Sequence, residues 1–397
     1  MDECDVTIVG AGPIGCFVAE RLASKGRNVS LFEEHPGIGE PLHCAGLVTQ
    51  RVFDITDCPA EEIVQNKIYG AIIHSPNGQT LTIGGETIHA LVIDRQAFDS
   101  YLAQKAKRVG AQIFLQHTSA TAQRKQHHIE LTTHHNEQIT TIKSKLLIGA
   151  DGPHSHIRRL FNFSNPKETI KGIGAELTNT NLDPRYVHIY VGQTIAPGFF
   201  AWVIPTNTGG TTARIGLCIR KNSLHRLQHY YLTLLQQPLL KETTVMRQFG
   251  GTIPLGPLKN TVDDHLMLVG DAAAQVKPTS GGGLYPGLLC ATHCSTVAED
   301  ALANRRFNAQ FLKRYHIKWT KDIGRELSLG MKFRTIFTRL TDSEFNKYLE
   351  KFNKEKITQV ISIYGDIDYP SRLVLPLIKV MPSLLSFTPT LLKRKKK

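Results

Sequence analysis

The chain has 397 residues, enough for two or three domains, and its 41% hydrophobic content suits a packed core. Its net charge of +13 favours an anionic partner such as a membrane surface, an acidic protein or a phosphorylated substrate, while the lack of any recognition motif argues against nucleic acid. Seven cysteines without a C-x-x-C pair suggest a reducing, cytoplasmic setting; the acidic start leaves no room for a signal peptide, and no apolar run reaches the roughly 18 residues of a transmembrane helix.

The stretch Asp5-Val6-Thr7-Ile8-Val9-Gly10-Ala11-Gly12-Pro13-Ile14-Gly15 reads as a buried strand, a tight turn and a helix start. Gly10 permits the turn, Gly12 lets the backbone approach a phosphate, and Gly15 lets the helix pack on the strand. The helix start aims free N–H groups at a pyrophosphate. The helix is predicted to run to about Lys25, with Gly26 ending it. A second strand, Val29 to Glu33, finishes on an acid 21 positions after Gly12, placed to hold ribose hydroxyls. This pattern predicts a dinucleotide without choosing between NAD and FAD.

A Gly/Pro-rich loop from Pro36 to Gly46 follows, with Cys44 near its end. Strands are predicted at Ala71–His74 and Thr80–Ile83 around an Asn77-Gly78 turn. Asp94-Arg95 opens a helix with Phe98, Leu102 and Ala106 at helical spacing. Strands at Ile113–Gln116, Ile129–Thr132 and Ile139–Ile142 lead to Gly149-Ala150-Asp151-Gly152, where an apolar strand again ends on an acid. His127-His128 and His134-His135 flank what reads as one polar hairpin turn, a solvated surface rather than a metal site. Residues from about 165 to 250 are strand-rich, and Gly270-Asp271-Ala272-Ala273 returns to the nucleotide domain. A helix from Gly283 to about Asn304 completes it; Cys290 and Cys294 lie one turn apart there without a third ligand, so no metal is assigned. The remainder reads as mainly helical.

The fold class is α/β with an α+β substrate domain. The expected domains are a discontinuous nucleotide-binding domain at 1–165 and 251–305, a substrate sheet at 166–250 with part of 66–92, and a helical region at 306–397 with a basic tail.

In order, the motifs G-x-G-x-x-G, A-D-G and G-D-A-A resemble flavoproteins of p-hydroxybenzoate hydroxylase type, in which the last aspartate holds the ribityl and pyrophosphate region. The resemblance implies a Rossmann-like FAD-binding domain of that type with an inserted antiparallel-sheet substrate domain. Three further stretches resemble geranylgeranyl reductases. Pro41-Leu42-His43-Cys44-Ala45-Gly46-Leu47-Val48 is similar to their C-A-G-L segment, Pro197 to Pro205 to their P-x-x-Y-x-W-x-F-P motif, and Val276 to Leu284 to their V-K-P-T-(T/S)-G-G-G-I run. The resemblance covers roughly residues 1–330. Phe200 stands where the family has Tyr and Ile204 where it has Phe; both keep an apolar wall, the first without the phenol, which leaves the length or position of the substrate chain open.

The resemblance implies a FAD-dependent reductase that saturates C=C bonds of geranylgeranyl or polyprenyl chains, as in archaeal-type membrane lipids. Reduced flavin would give a hydride to one alkene carbon, and a proton would reach the other. FAD is expected on Gly10, Gly12, Ile14, Gly15 and Glu33, on Cys44, Ala45 and Leu47, on Asp151, Gly270 and Asp271, and on Gly282, Gly283 and Leu284. Arg95 and Ala120 join them by resemblance alone. The side-chain-free run Gly281-Gly282-Gly283 admits a flat ring, and the helix after it aims its N-terminus there. Phe200 and Trp202, with Phe199, offer the uncharged wall a polyprenyl chain needs. Cys44 is the expected catalytic thiol. With one dinucleotide fingerprint, the reductant is expected to be transiently bound NADPH, ferredoxin or a reduced deazaflavin. The alternatives are a monooxygenase of the same fold and a non-catalytic prenyl-chain carrier. The stretch Leu373–Leu392, apolar but broken by Pro376, Pro382 and Pro389, precedes five basic residues. It predicts peripheral attachment to the cytoplasmic face of a membrane.

Overall fold

A computed structural model describes residues 2–41, 44–220 and 224–387. Leu42 and His43 of the C-A-G-L stretch and the basic tail lie outside the described residues.

The strand Asp2–Val9 lies parallel between Gln138–Gly149 and Val29–Phe32. Its β-branched Val6, Ile8 and Val9 are buried, as a strand covered on both faces requires. Gln112–Phe114 extends the parallel set on one side and Leu266–Leu268 on the other, and Val262–Asp263 adds an antiparallel edge. The front half of Gln138–Gly149 pairs instead with Ile129–His135, which pairs with Thr118–Arg124. This three-stranded meander has two turns. His127-His128 sit at the first and His134-His135 at the second, rather than around one hairpin turn.

The helices Pro13–Ala23, Arg95–Arg108 and Leu284–Asn304 cover one face of the parallel sheet. Phe17, Leu22, Phe98, Leu102, Leu288 and Val297 join the strands there in one apolar core. On the opposite face Phe32, Ile129, Leu131, Leu147 and Leu268 form a second.

A separate sheet of seven strands runs in the order Thr244–Leu255, Glu168–Thr178, Thr212–Arg220, Phe200–Pro205, Tyr186–Val191, Gly70–His74, Thr80–Gly84. Its one parallel pairing joins Tyr186–Val191 to Gly70–His74. The strand Thr244–Leu255 carries this sheet past residue 250, where the sequence places a boundary. The 66–92 segment is divided: Gly70–Gly84 joins the large sheet, while Val64–Ile68, Ala90–Ile93 and Leu47–Val48 make a third, small one.

Strand alternation decides what each face of the large sheet meets. Ala201 and Val203 point to one core with Tyr231 and Leu234 of the helix Leu224–Leu235. Phe200, Trp202 and Ile204 point the other way, among Ala45, Leu47 and Val276. Glycines on this second face make room for rings: a Cβ at Gly174 would stand 2.6 Å from the Phe249 ring, and the Trp202 indole lies over Gly216.

From Ala309 to Phe387 the chain is mainly helical. Ala309–Trp319, a π turn at Thr320–Gly324 and Arg325–Phe337 follow one another, with Leu312, Tyr315 and Trp319 in the nucleotide-domain core. Arg334 ties the last of them to the large sheet through a two-armed bond to Glu168, both arms 2.8 Å. Asp342–Phe352, Glu355–Tyr364 and Val374–Val380 complete the region. Among the described residues no helix is long and apolar enough to cross a membrane.

Candidate active site

The glycine turn is set by three different steric situations. Gly10 has φ +100°, and a Cβ on it would stand 2.7 Å from the carbonyl carbon of Ala150 and 2.9 Å from Cα of Asp151. A Cβ on Gly15 would run into the carbonyl of Gly10. Gly12 is the reverse: its Cβ would meet no protein atom within 4 Å. That open ground lies at the start of the helix Pro13–Ala23, whose first turn no side chain caps. Uncapped N–H groups beside empty space are what a pyrophosphate requires. Ile14 follows Pro13 in the first turn of this helix. Its side chain is wedged against Gly270 and Gly287, where added Cβ atoms would stand 3.2 and 2.7 Å away.

Glu33 is fixed at the mouth of this turn. One carboxylate oxygen accepts the Ala11 N–H at 2.8 Å, and the other accepts the His35 N–H at 3.0 Å and lies 2.6 Å from the His35 ring Nδ1. His35 was not anticipated; its only sequence signal is its place two residues after the acid. Ala120 is the extra residue of a β-bulge, since Ser119 pairs with Thr133 and Thr121 with Thr132. The bulge takes its peptide out of the ladder, facilitating backbone contact with a ligand.

The three expected acids differ in what they do. Asp151 accepts the Ser155 hydroxyl at 2.6 Å and the Ile157 N–H at 3.0 Å, which fastens the turn before the helix His156–Leu160. Arg158, missed in the sequence, donates to the carbonyls of Ala272 at 3.1 Å and Pro153 at 3.0 Å, tying the A-D-G turn to the G-D-A-A turn. Asp271 follows Gly270, which has φ +69°. Among the described residues its carboxylate accepts no hydrogen bond, and Oδ1 would stand 2.7 Å from a Cβ on Gly283. Burial pushes its carboxyl up to about 6, with the Arg95 charge opposing. Leu284 packs its side chain into the nucleotide-domain core.

Arg95 joins these parts. Its fork grips Asp99 at 3.1 and 2.8 Å. Burial works against its charge, but Asp99 and the Cys44 sulfur beside it hold the guanidinium protonated. Cys44 Sγ also accepts the Gly46 N–H at 3.4 Å. Cys44 is half-buried, and the other six cysteines are buried.

The V-K-P-T loop closes on itself, the Lys277 N–H donating to Gly282 O at 3.1 Å and the Gly281 N–H to Lys277 O at 2.9 Å. Lys277 Nζ lies 2.6 Å from Oδ1 of Asp368, whose side chain is 1% exposed. The other oxygen of Asp368 accepts from Thr49 at 2.5 Å and Arg51 at 3.1 Å. Arg51 also takes Asp366 with both arms, and the Tyr285 and Tyr369 hydroxyls meet at 2.8 Å. Asp368 of the C-terminal region thus supplies the counter-charge of the loop's Lys277.

Above Gly281 lies the aromatic wall. Phe199 and Phe200 stack at 4.3 Å, and Phe200 meets Trp202 edge-on at 6.1 Å. Phe199 is buried beneath Arg334, whereas Phe200 and Trp202 are partly open. Among the described residues the Trp202 indole N–H is buried without a partner. Among the described residues no three His, Cys, Asp or Glu side chains gather as a metal site.

Two outcomes follow. Glu33→Ala is expected to weaken FAD by about 1–3 kcal/mol through lost charged hydrogen bonds, measured by titrating apoprotein; unchanged affinity would show that the acid serves only Ala11 and His35. A carboxyl raised by folding stabilises the apoprotein in acid and loses that contribution as pH rises through about 6. Asp271→Asn should therefore gain urea stability relative to the parent between pH 4 and 7, and parallel profiles would contradict the raised carboxyl.

Residues 3–231 match the FAD binding domain family. The digeranylgeranylglycerophospholipid reductase of Methanocaldococcus jannaschii is 30% identical over 399 residues, covering 98% of this chain and 99% of its own. A geranylgeranyl bacteriochlorophyll reductase-like protein of Thermoplasma acidophilum superposes with a TM-score of 0.89 at 22% identity, over 98% of this chain and 100% of that one. The p-nitrophenol 4-monooxygenase of Pseudomonas putida shares the fold more distantly, with a TM-score of 0.72 at 14% identity over 94% and 99%. The fold is that of p-hydroxybenzoate hydroxylase-type flavoenzymes, and FAD is the cofactor its open glycine turn, ribose acid and glycine run fit. The chain belongs to the FAD binding domain family and, along its whole length, to the group that includes the digeranylgeranylglycerophospholipid reductase.

Proposed function

We propose that this protein is a FAD-dependent reductase saturating isolated C=C bonds in the geranylgeranyl or polyprenyl chains of membrane lipids. The observation that carries the reading is the uncharged aromatic face of the large sheet, where Phe200 and Trp202 continue from Phe199, whose ring lies against Gly281 at the start of the glycine run. A prenyl chain offers nothing to hydrogen-bond, so apolar contact and exclusion of water must place it. When bound, FAD supplies the hydride chemistry. The chain's own residues orient the alkene, keep water away and furnish a proton. Cys44 is the thiol we assign to that proton, held by Gly46 and beside the Arg95 charge. The full-length similarity to a named reductase favours this reading over a monooxygenase, and the open turn at Gly12 favours it over a carrier.

Dithionite-reduced protein incubated with unsaturated archaeal-type lipid should give two-dalton mass steps. Cys44→Ala should keep its FAD and lose at least tenfold in rate. Hydroxylated product formed with oxygen would replace the reductase reading with a monooxygenase, and full activity in the variant would leave Cys44 a packing residue.

We also infer attachment to an anionic bilayer through the C-terminal segment. Of the apolar tail residues, Met381 is buried and Leu373, Val374, Leu377, Ile378 and Val380 are half-buried, so they pack on the body more than expected. Leu375 is 72% exposed, and Ile363, Tyr364 and Ile367 are exposed just before it. Exposed Lys354, Lys356, Arg372 and Lys379 accompany them. Leu391, Leu392 and the basic run lie outside the described residues. Apolar insertion together with basic charge is the two-signal arrangement of stable peripheral binding. Removing residues 388–397 together with Ile363→Glu and Leu375→Glu should abolish co-sedimentation with anionic liposomes while FAD stays bound. Undiminished co-sedimentation would place the attachment elsewhere.

A further inference from the structure

Arg214 stands mid-strand in the large sheet, opposite Ile204 and two residues from the Gly216 that underlies Trp202. It shares the inward face with Trp202 by alternation, and its side chain is only 5% exposed. Three of its four acceptors lie outside that sheet. Nη1 donates to the carbonyls of Ile93 at 2.8 Å and Ala45 at 3.4 Å, and Nη2 donates to the side-chain oxygen of Gln65 at 3.0 Å. Nε donates to Glu176 at 3.2 Å, on a neighbouring strand of the same sheet.

These acceptors are the supports of the reaction site. Ala45 lies between Cys44 and Gly46, and Ile93 precedes Asp94, the cap of the helix that Arg95 opens. The loop is closed around the guanidinium: Gly46 has φ +73°, and a Cβ there would stand 2.7 Å from Ile93 O and run into Nη1 of Arg214. Cys44 Sγ then takes the Gly46 N–H. The sequence of contacts runs from the strand beside Trp202, through one guanidinium, to the peptide that aims the thiol. A planar fork with fixed donor directions suits this task, and a lysine ammonium, a point donor on a flexible stem, does not.

The geometry points to Arg214 as the positioning residue of Cys44, by which the substrate-binding sheet fixes the thiol's place relative to the aromatic wall. The inference rests on the reading that Cys44 serves the reaction. Any shift of the sheet under a bound chain moves the thiol with it, because both hang on the same side chain.

The test exploits Cys44 being the one half-buried cysteine of seven. Holoprotein and Arg214→Lys are treated with iodoacetamide, and labelling of the peptide carrying Cys44 is followed by mass spectrometry. Arg214→Lys keeps the charge and removes the fork. It should retain FAD, label at Cys44 at least fivefold faster than the parent, and turn over alkene at least fivefold more slowly. A parental labelling rate would overturn the inference. If Arg214→Lys yields no holoprotein, Gln65→Ala carries the test, since the exposed Gln65 holds the outer arm of the fork. Labelling at least twofold faster supports the role, and a parental rate overturns it. The labelling comparison stands even if the parent reduces no alkene, so failure of the reductase reading is recognised separately.

Discussion

Two backbones approach within van der Waals distance where the first strand becomes the first helix, and the nucleotide half depends on that approach. Gly10 lies against Ala150 and Asp151, and Gly15 lies against Gly10. With no side chains between them, the helix Pro13–Ala23 starts directly at the carboxyl ends of two parallel strands. Glu33, Asp151 and Asp271 then end their segments around one point, as in open sheets that bind ligands at a switch in strand order. Ile14 filling the space beside Gly270 and Gly287 brings the closing helix to the same point.

The motifs were legible because each is local. A strand, a glycine turn, an acid at fixed spacing and a glycine run before a helix carry their geometry in a few consecutive residues. The seven-stranded sheet was legible only as a strand-rich region. Its pairing of Tyr186–Val191 with Gly70–His74 joins segments more than a hundred residues apart, and nothing local encodes that register. For the same reason the sequence placed a boundary inside the strand Thr244–Leu255.

At the site, several of the residues missed have remote partners, His35 beside Glu33 being the exception. Arg214 reaches Ala45 across 169 positions, and Thr49 reaches Asp368 across 319. A basic residue in an apolar strand carries no mark of which carbonyls it will meet. Asp151 shows the opposite pattern: its partners, Ser155 and Ile157, lie within six residues of it. Asp271 has no such partner among the described residues.

The buried contact between Lys277 and Asp368 bears on modularity. Every recognisable motif lies before about residue 330, so the chain looks divisible into a flavin-binding unit and a helical appendage. The lysine within the last of those motifs draws its counter-ion from beyond that point, and removing one member of a buried ion pair typically costs about 3–5 kcal/mol. The motif-bearing portion is therefore not an autonomous module. A chimera that exchanges C-terminal regions between relatives must carry the 366–369 segment along with the loop it neutralises, and evolution of the two is constrained to proceed together.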